Sequence, residues 1–278
     1  MEEFLIRDDL TLSDREFAVV RRLIHDHAGI AFAEQKRTLV HNRLAPRVRA
    51  RRLATFADYL EMLPRDGAEF QEFVNALTTN LTSFFREPYH FDVIAEHVRA
   101  NRSRRSTIWS AACSTGEEPY SIAIRLAEAF PDREPPVRIV ATDIDTSMLA
   151  TASAAVYPLE RLANVSRERL KAFFERGVGT KAGFARIAPR LRDLVEFRPL
   201  NLVGPKWDVP VPVDLIVCRN VLIYFDQETQ SKILRRFATC LERTGRLITG
   251  HAENLHHARE TFSPCGRSVY RLASAGGQ

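Results

Sequence analysis

The residues best suited to chemistry are two adjacent carboxylates, Glu117 and Glu118, at the start of a predicted helix. They follow an apolar strand-forming run, residues 107–112, and a tight turn at residues 114–116. Carboxylates there stabilise the helix dipole but repel a pyrophosphate, and the turn has neither phosphate-binding glycine motif. The turn therefore favours a cationic or neutral nucleoside, and S-adenosylmethionine, with its ammonium and sulfonium groups, fits this pattern. The alternative is that both glutamates only stabilise the first helical turn.

Other polar side chains follow predicted strands, at the edge where an open α/β sheet binds its ligands. Asp143 follows the strand VRIVAT, 27 residues after Gly116, and this position suits an acid that holds ribose hydroxyls. Arg219 and Asn220 follow the apolar strand VDLIVC. Local roles are the alternative, because Asn often satisfies backbone groups in turns and an acid after a strand is often a helix N-cap. The N-cap role suits Asp145 better than Asp143.

A polar and aromatic segment, residues 79–91, joins a helical part of the chain to an α/β part. Domain junctions are favoured places for ligand pockets, and Asn80, Thr82 and Arg86 could each supply a directed hydrogen bond. The alternative is a plain linker in which Phe84 and Phe85 are a buried anchor.

The elements that must position these residues follow from apolar spacing. Residues 12–80 are predicted to be helical, because apolar side chains recur at helical spacing from Phe17 to Ile24 and Gly29 can end that helix. From residue 91 onward strands alternate with helices, which predicts a seven-stranded sheet with an antiparallel ending. Gly177, Gly179 and Gly183 suit hairpin turns, so residues 157–189 are predicted to be a small antiparallel insert.

Two further groups of charged residues could either have a function or simply be exposed to solvent. Residues 36–52 contain seven Lys or Arg and no acid, and Arg43, Arg47 and Arg51 share one helix face. This face is either a solvated surface or a docking surface for an acidic partner. A second group, His251, Glu253, His256 and His257, lacks metal-ligand spacing, so we expect a surface loop and no metal.

Composition limits the class of protein. The chain has 278 residues, 45% of them apolar and 27% charged, with a net charge of +5. No apolar run approaches the roughly 20 residues that span a bilayer, and the acidic start MEEFLIRDDL does not resemble a signal peptide. The four cysteines are widely spaced, without metal-ligand pairs. We expect a soluble, cytoplasmic protein, and no helix-turn-helix signature suggests nucleic acid as a partner.

Five ordered segments, NLTSFFRE, WSAACSTGEEPYSIAI, ATDIDTSML, CRNVLIYFD and GHAEN, resemble the chemotaxis receptor glutamate methyltransferases, the CheR family. The resemblance covers nearly the whole chain. It implies an α/β fold: a Rossmann-like S-adenosylmethionine domain with an inserted antiparallel β-subdomain, preceded by an all-α domain. The domains implied are residues 1–79, a linker at 80–90, and residues 91–278 with the insert at about 157–192.

The resemblance also implies a role for individual residues. The family's cofactor contacts fall on Asn80, Thr82, Arg86, Glu117, Asp143, Asn201, Leu202, Arg219 and Asn220. Arg86 and Tyr224 match positions near the methyl-transfer centre. Arg43, Arg47 and Arg51 match the basic helix that faces the receptor's methylation helices, and Arg176, Gly177, Gly179 and Gly183 match members that bind a receptor's carboxyl-terminal peptide.

The function implied is methyl transfer from S-adenosylmethionine to receptor glutamates by a monomer that needs no metal. S-adenosylhomocysteine is then the second product. Rival interpretations are a methyltransferase acting on another substrate, a silent cofactor-binding module, and an NAD-dependent dehydrogenase. The two glutamates at the helix start argue against the last.

Overall fold

A computed structural model describes residues 10–273 of the chain. The amino-terminal residues used above to argue against a signal peptide lie outside this range. The chain divides into two compact units: Met1–Thr79 with Tyr224–Asp226, and Asn80–Ile223 with Gln227–Gln278. The first is the helical unit and the second the α/β unit.

The helical unit is built from α-helices, each of which buries apolar side chains. They are α1 (Asp14–Ala28), α2 (Arg37–Ala50), α3 (Phe56–Met62) and α4 (Gly67–Leu77). Ser13 caps α1 through a capping box with Glu16, and Gly29 ends it in the left-handed conformation, at φ 71°. The prediction that Gly29 ends this helix is confirmed.

Tyr224–Asp226 joins the helical unit from far along the sequence. Phe225 forms an antiparallel bridge with Ile30, and the Tyr224 carbonyl accepts the N–H of Ala31 at 2.9 Å. The backbone groups of this short segment are therefore paired within the helical unit.

The α/β unit alternates strands with helices before ending in a hairpin. Its elements are α5 (Tyr89–Ala100), β1 (Ser106–Ala111), α6 (Glu117–Ala129), β2 (Val137–Asp143), α7 (Thr146–Ala154), β3 (Val156–Pro158), α8 (Arg167–Phe173), β4 (Phe174–Arg176), β5 (Phe184–Ile187), α9 (Pro189–Arg192), β6 (Val195–Pro199), β7 (Val213–Cys218), α10 (Gln227–Cys240), β8 (Leu241–Thr249), β9 (Phe262–Gly266) and β10 (Val269–Leu272).

Seven strands form one sheet in the order β6-β2-β1-β7-β8-β10-β9. The first five strands of this order pair in parallel, and β10 and β9 pair antiparallel. The predicted seven-stranded sheet with an antiparallel ending is confirmed. Because β2, β1 and β7 are parallel neighbours, their carboxyl ends share one edge of the sheet.

A second sheet, β3-β5-β4, is small and antiparallel. It lies in the chain between α7 and β6, where the sequence predicted an insert, and this part of the fold prediction is confirmed. Gly179 and Gly183 have φ angles of 58° and 92°, so the turn between β4 and β5 uses glycine where other residues would be strained.

The core of the α/β unit joins the insert to the main sheet. Phe84 and Tyr157 meet edge to face with ring centroids 5.0 Å apart, and Phe84 meets Phe174 at 5.6 Å. Aromatic pairs of this kind add roughly 0.5–1.5 kcal/mol to the free energy gained by burial. The linker phenylalanine is thus an anchor of the insert.

Candidate cofactor site

The turn after β1 is tight and closely packed. Ala112, Ser114 and Gly116 all have positive φ angles, at 62°, 49° and 92°. A Cβ on Gly116 would lie 2.9 Å from both the Ala152 Cβ and the Tyr157 hydroxyl. The close approach that requires glycine here is made by side chains of α7 and the insert.

Glu117, the first residue of α6, is fully buried. One carboxylate oxygen accepts the Thr115 hydroxyl at 2.6 Å, and the other accepts Arg161 Nη1 at 2.6 Å. Arg161 belongs to the insert and also donates to the Thr115 hydroxyl at 2.8 Å. Glu117 therefore connects the turn after β1 to the insert. The local sequence did not reveal this contact.

Glu118 faces a different set of partners. Its carboxylate accepts the Ser110 hydroxyl at 2.7 Å and Arg219 Nη1 at 3.1 Å. Burial raises the pKa of Glu118, while the charge of Arg219 opposes that rise. This second glutamate joins the ends of β1 and β7, and the predicted site set did not include it.

Asp143 lies at the end of β2 with its carboxylate held on both sides. One oxygen accepts the N–H of Ser114 at 2.7 Å, and the other accepts that of Asp145 at 2.9 Å. Burial raises the pKa of Asp143 to about 6. Asp145 caps α7 by accepting the N–H groups of Ser147 and Met148, as predicted.

The linker contacts the same edge of the sheet. Asn80 donates its side-chain amide to Asp145 at 2.8 Å, and the Asn80 carbonyl accepts the Ser114 hydroxyl at 3.2 Å. Arg86 Nη1 donates to the Leu81 carbonyl at 3.0 Å. Thr82 is half-buried between these residues in the chain.

Arg219 connects the linker to the end of β7. Its guanidinium donates to the Arg86 carbonyl, and it lies 3.3 Å from a Glu87 carboxylate oxygen and 3.1 Å from one of Glu118. The side chain is almost completely buried, so the two carboxylates balance a charge that would otherwise be costly. Arg219 is therefore the central cation of this edge.

Asn220 follows in the left-handed conformation, at φ 59°. Its N–H donates at 2.8 Å to Glu253, which is 5% exposed. The prediction of a surface loop is correct for His251 and His256, which are exposed, and wrong for Glu253. A carboxylate that accepts backbone N–H groups can be buried where a free one could not.

Asn201 and Leu202 follow β6, the strand beside β2. The Asn201 side chain accepts the N–H of Val203 at 3.0 Å, and its carbonyl accepts that of Gly204 at 3.0 Å. Leu202 is buried. The Asn201 contacts match the local turn role that Asn often has.

Tyr224 belongs to the helical unit, where its side chain is half-buried. Its role near the methyl-transfer centre stays a prediction.

Arg43 and Arg47 of α2, with Arg51 directly after it, contact α4 and the residues at its two ends. Arg47 makes a bidentate pair with Glu69, with bonds of 2.9 and 2.6 Å. Arg51 donates to Asp66 at 2.5 Å, and Arg43 donates to the carbonyls at the end of α4, those of Leu77 and Thr78. The sequence offered a solvated face or a docking face; the structure adds a third role, because these guanidiniums hold α2 against α4.

The glycine-rich hairpin of the insert exposes Arg176, Val178, Gly179 and Gly183, and Gly177 is half-buried. Val178 and Phe184 are apolar side chains left exposed on the same hairpin.

The charges at this edge suit a cationic nucleoside. Carboxylates from the ends of β1 and β2 lie beside amide and guanidinium donors of the linker and the end of β7. The acidic members complement an ammonium or a sulfonium, and Asp143 can accept ribose hydroxyls. Among residues 10–273, no group of three or more His, Cys, Asp or Glu side chains is arranged so that it could hold a metal ion.

A mainly parallel seven-stranded sheet with acidic, amide and guanidinium side chains at its strand ends suits a methyltransferase that uses S-adenosylmethionine. A family model described as "CheR methyltransferase, SAM binding domain" matches residues 80–271, and "CheR methyltransferase, all-alpha domain" matches residues 15–78. The chain belongs to the CheR methyltransferase family, and the resemblance noted from its motifs is confirmed.

Curated relatives agree along most of the chain. "Chemotaxis protein methyltransferase 2" of Pseudomonas aeruginosa is 49% identical over 260 residues, 93% of either chain. The "Chemotaxis protein methyltransferase" of Escherichia coli is 45% identical over 266 residues, which is 95% of this chain and 93% of that one. None of the helices within residues 10–273 has the length and hydropathy needed to cross a membrane.

Proposed function

We propose that this methyltransferase transfers the methyl group of S-adenosylmethionine to glutamate side chains in the cytoplasmic helices of chemoreceptors. Relatives that match most of this chain are named as chemotaxis protein methyltransferases, and this supports the substrate. The observation that carries the proposal is the buried Asp143 carboxylate at the end of β2, among donors from the linker and the turn after β1.

Within this proposal the cofactor is held by residues from five segments of the chain. They are Asn80, Thr82, Arg86, Glu117, Asp143, Asn201, Leu202, Arg219 and Asn220. We add Glu118, because its partners Ser110 and Arg219 belong to the same strand ends. Asp143 would accept the ribose hydroxyls, and the acidic residues would balance the positive charge.

S-adenosylmethionine, when bound, supplies an electrophilic methyl group on a sulfonium. A glutamate carboxylate has an ordinary pKa of about 4.3 and is already ionised near neutral pH, so no general base is needed. The work left to the protein is to align the incoming carboxylate and exclude water. We assign this alignment to Arg86 and Tyr224. A strong pair between Arg86 and the substrate would stabilise the ground state as well, which favours a mainly cofactor-directed role for Arg86.

The receptor-facing surface in this proposal is the helical unit. Arg43, Arg47 and Arg51 would contribute by fixing α2 against α4, since their guanidiniums already bond to residues at and around α4. The hairpin at Arg176, Gly177, Gly179 and Gly183 would hold a receptor's carboxyl-terminal peptide. Its exposed Val178 and Phe184 are apolar contacts available to such a peptide.

Calorimetric titration with S-adenosylhomocysteine, followed by a methyl-transfer assay, tests the proposal. We expect binding in the micromolar range, about −8 kcal/mol, and its loss in Asp143→Ala. Radiolabelled methyl should then appear on receptor cytoplasmic fragments and disappear when their glutamates are changed to alanine.

Two outcomes would contradict this function. Absence of binding by the wild-type protein would remove the cofactor site. Methylated product formed without any receptor fragment would favour a different substrate class.

A further inference from the structure

Glu253 makes an unusual set of hydrogen bonds beside the proposed cofactor site. One carboxylate oxygen accepts the N–H groups of Asn220 at 2.8 Å and Gly250 at 2.6 Å, and the other accepts that of Leu222 at 2.7 Å. The carboxylate thus bridges the loops that follow β7 and β8, two neighbouring parallel strands. Three bonds from backbone donors exceed what is needed to cap one turn.

The loop that it holds is conformationally unfavourable. Asn220 has a φ of 59°, a left-handed conformation that is unfavourable for a residue with a side chain. Asn accepts this conformation more readily than most residues, but something must still fix it. The bond from the Asn220 N–H to Glu253 supplies that restraint.

Gly250 restrains Asn220 from the other side. A Cβ on Gly250 would lie 2.9 Å from the Asn220 Cγ and 3.0 Å from its backbone N. The side chain of Asn220 therefore packs directly on the Gly250 backbone. The segment GHAEN contributes a glycine that makes room for Asn220 and a glutamate that fixes its backbone.

We propose that Glu253 is a positioning residue, which holds Asn220 in the conformation needed to contact S-adenosylmethionine. The inference rests on the proposed function, in which Asn220 is a cofactor contact. Glu253 itself does not touch the cofactor in this proposal; it acts through the backbone of Asn220.

Glu253→Gln is the sharpest change, because it keeps the shape of the side chain. An amide has one accepting oxygen, so its NH₂ group must face either Leu222 or the Asn220 and Gly250 pair, and both are donors. The loop must then rearrange. We expect S-adenosylhomocysteine to bind at least tenfold more weakly, about 1.4 kcal/mol.

A double-mutant cycle with Asn220→Gly separates positioning from general damage. Glycine adopts the left-handed conformation without strain and removes the side chain, so the single variant should lose affinity. If Glu253 acts through Asn220, Glu253→Gln should cost less than about threefold in the Asn220→Gly background, because the affected contact is already absent. An equal loss in both backgrounds would overturn the inference.

Controls distinguish the failure of this inference from that of the proposed function. Glu69→Gln alters a carboxylate that is 3% exposed in the helical unit, and should lower stability without changing S-adenosylhomocysteine affinity. Wild-type affinity in Asn220→Gly would remove Asn220 as a contact and the inference with it. If Asn220→Gly bound S-adenosylhomocysteine more weakly and Glu253→Gln bound it with wild-type affinity, only the inference would be overturned. Should Glu253→Gln not fold, Gly250→Ala displaces Asn220 from the opposite side, and must show the same non-additivity.

Discussion

Charged side chains gather in two regions of this protein, the carboxyl edge of the parallel strands and the α2–α4 contact, and they do different work there. At the strand edge, Asp143 and Glu118 accept hydrogen bonds from residues of β1, of the turn after it and of the loop after β7. In the α2–α4 contact, Arg47 and Arg51 bond to a neighbouring helix and its N-cap. The first arrangement gathers side chains from separate segments at the edge where we propose that the cofactor binds, and the second fixes two helices.

The difference follows from the geometry of the elements. Neighbouring parallel strands end at one edge, so the polar residues after them meet whatever the intervening sequence is. Arginines spaced four residues apart share a face of a helix, but the spacing does not say what covers that face. Sequence spacing is therefore better evidence for a site at strand ends than on a helix.

Arg47→Ala has the largest expected effect among the changes that test this comparison. Removing the arginine leaves the buried Glu69 carboxylate without its bidentate partner, so we expect the helical unit to lose about 3 kcal/mol of unfolding free energy. Urea unfolding measures the loss, and affinity for S-adenosylhomocysteine should not change. Arg49→Ala, on an exposed residue of the same helix, is the matched control and should change stability by less than about 0.5 kcal/mol. Weakened cofactor binding with normal stability would mean that the two regions do not differ as described.

The pH dependence of cofactor binding tests the role proposed for the carboxyl edge of the strands. With its pKa raised to about 6 by burial, Asp143 is mostly ionised at pH 7.5 and mostly protonated at pH 5. A protonated carboxyl accepts ribose hydroxyls less well, so S-adenosylhomocysteine should bind about tenfold more weakly at pH 5. Asp143→Asn should flatten this profile, and a wild-type profile that is already flat would contradict the assignment.

The contribution of Asp143 to the free energy of unfolding without ligand should change with pH in the direction opposite to the ligand affinity. The folded pKa of Asp143 lies above its unfolded value of about 3.9, so its favourable contribution is present at low pH and is lost as pH rises through 6. Because S-adenosylhomocysteine should bind more tightly at pH 7.5 than at pH 5, the increase in Tm that it produces should also be greater at pH 7.5.

Tyr157→Phe is the smallest expected effect. It removes the hydroxyl that donates to the Thr115 carbonyl at 2.7 Å, and should cost about 1 kcal/mol of stability and a few-fold in S-adenosylhomocysteine affinity. Tyr120→Phe is the matched control, because Tyr120 donates to the Ala152 carbonyl at 3.0 Å in the same core. Both variants should be less stable, and only Tyr157→Phe should bind the ligand more weakly. Equal affinities would show that the turn does not need this bond.

Local signals predicted the elements of the fold well. Gly29 ends α1 and Asp145 caps α7, because both roles depend on residues close by in the chain. Alternating apolar runs predicted the strands, and the short glycine spacing after β4 predicted the hairpin.

Contacts between distant segments were less accessible from the sequence. Arg161 reaches Glu117 across 44 positions, and Glu253 reaches Asn220 across 33. No local pattern distinguishes such a glutamate from an exposed one, which is why Glu253 was expected on the surface. The order of strands brings these residues together, and that order depends on the packing of the whole sheet.

The contacts between the insert and the turn after β1 limit which segments of this enzyme can be exchanged in a chimera. Tyr157 and Arg161 supply a hydroxyl and a guanidinium to Thr115 and Glu117, and Tyr157 fills the space beside Gly116. A chimera that exchanged the insert would also exchange part of the support of the turn after β1, where we propose that the nucleoside binds. Such a graft would have to carry both side chains with it, or retain the residues before Leu162 from the host.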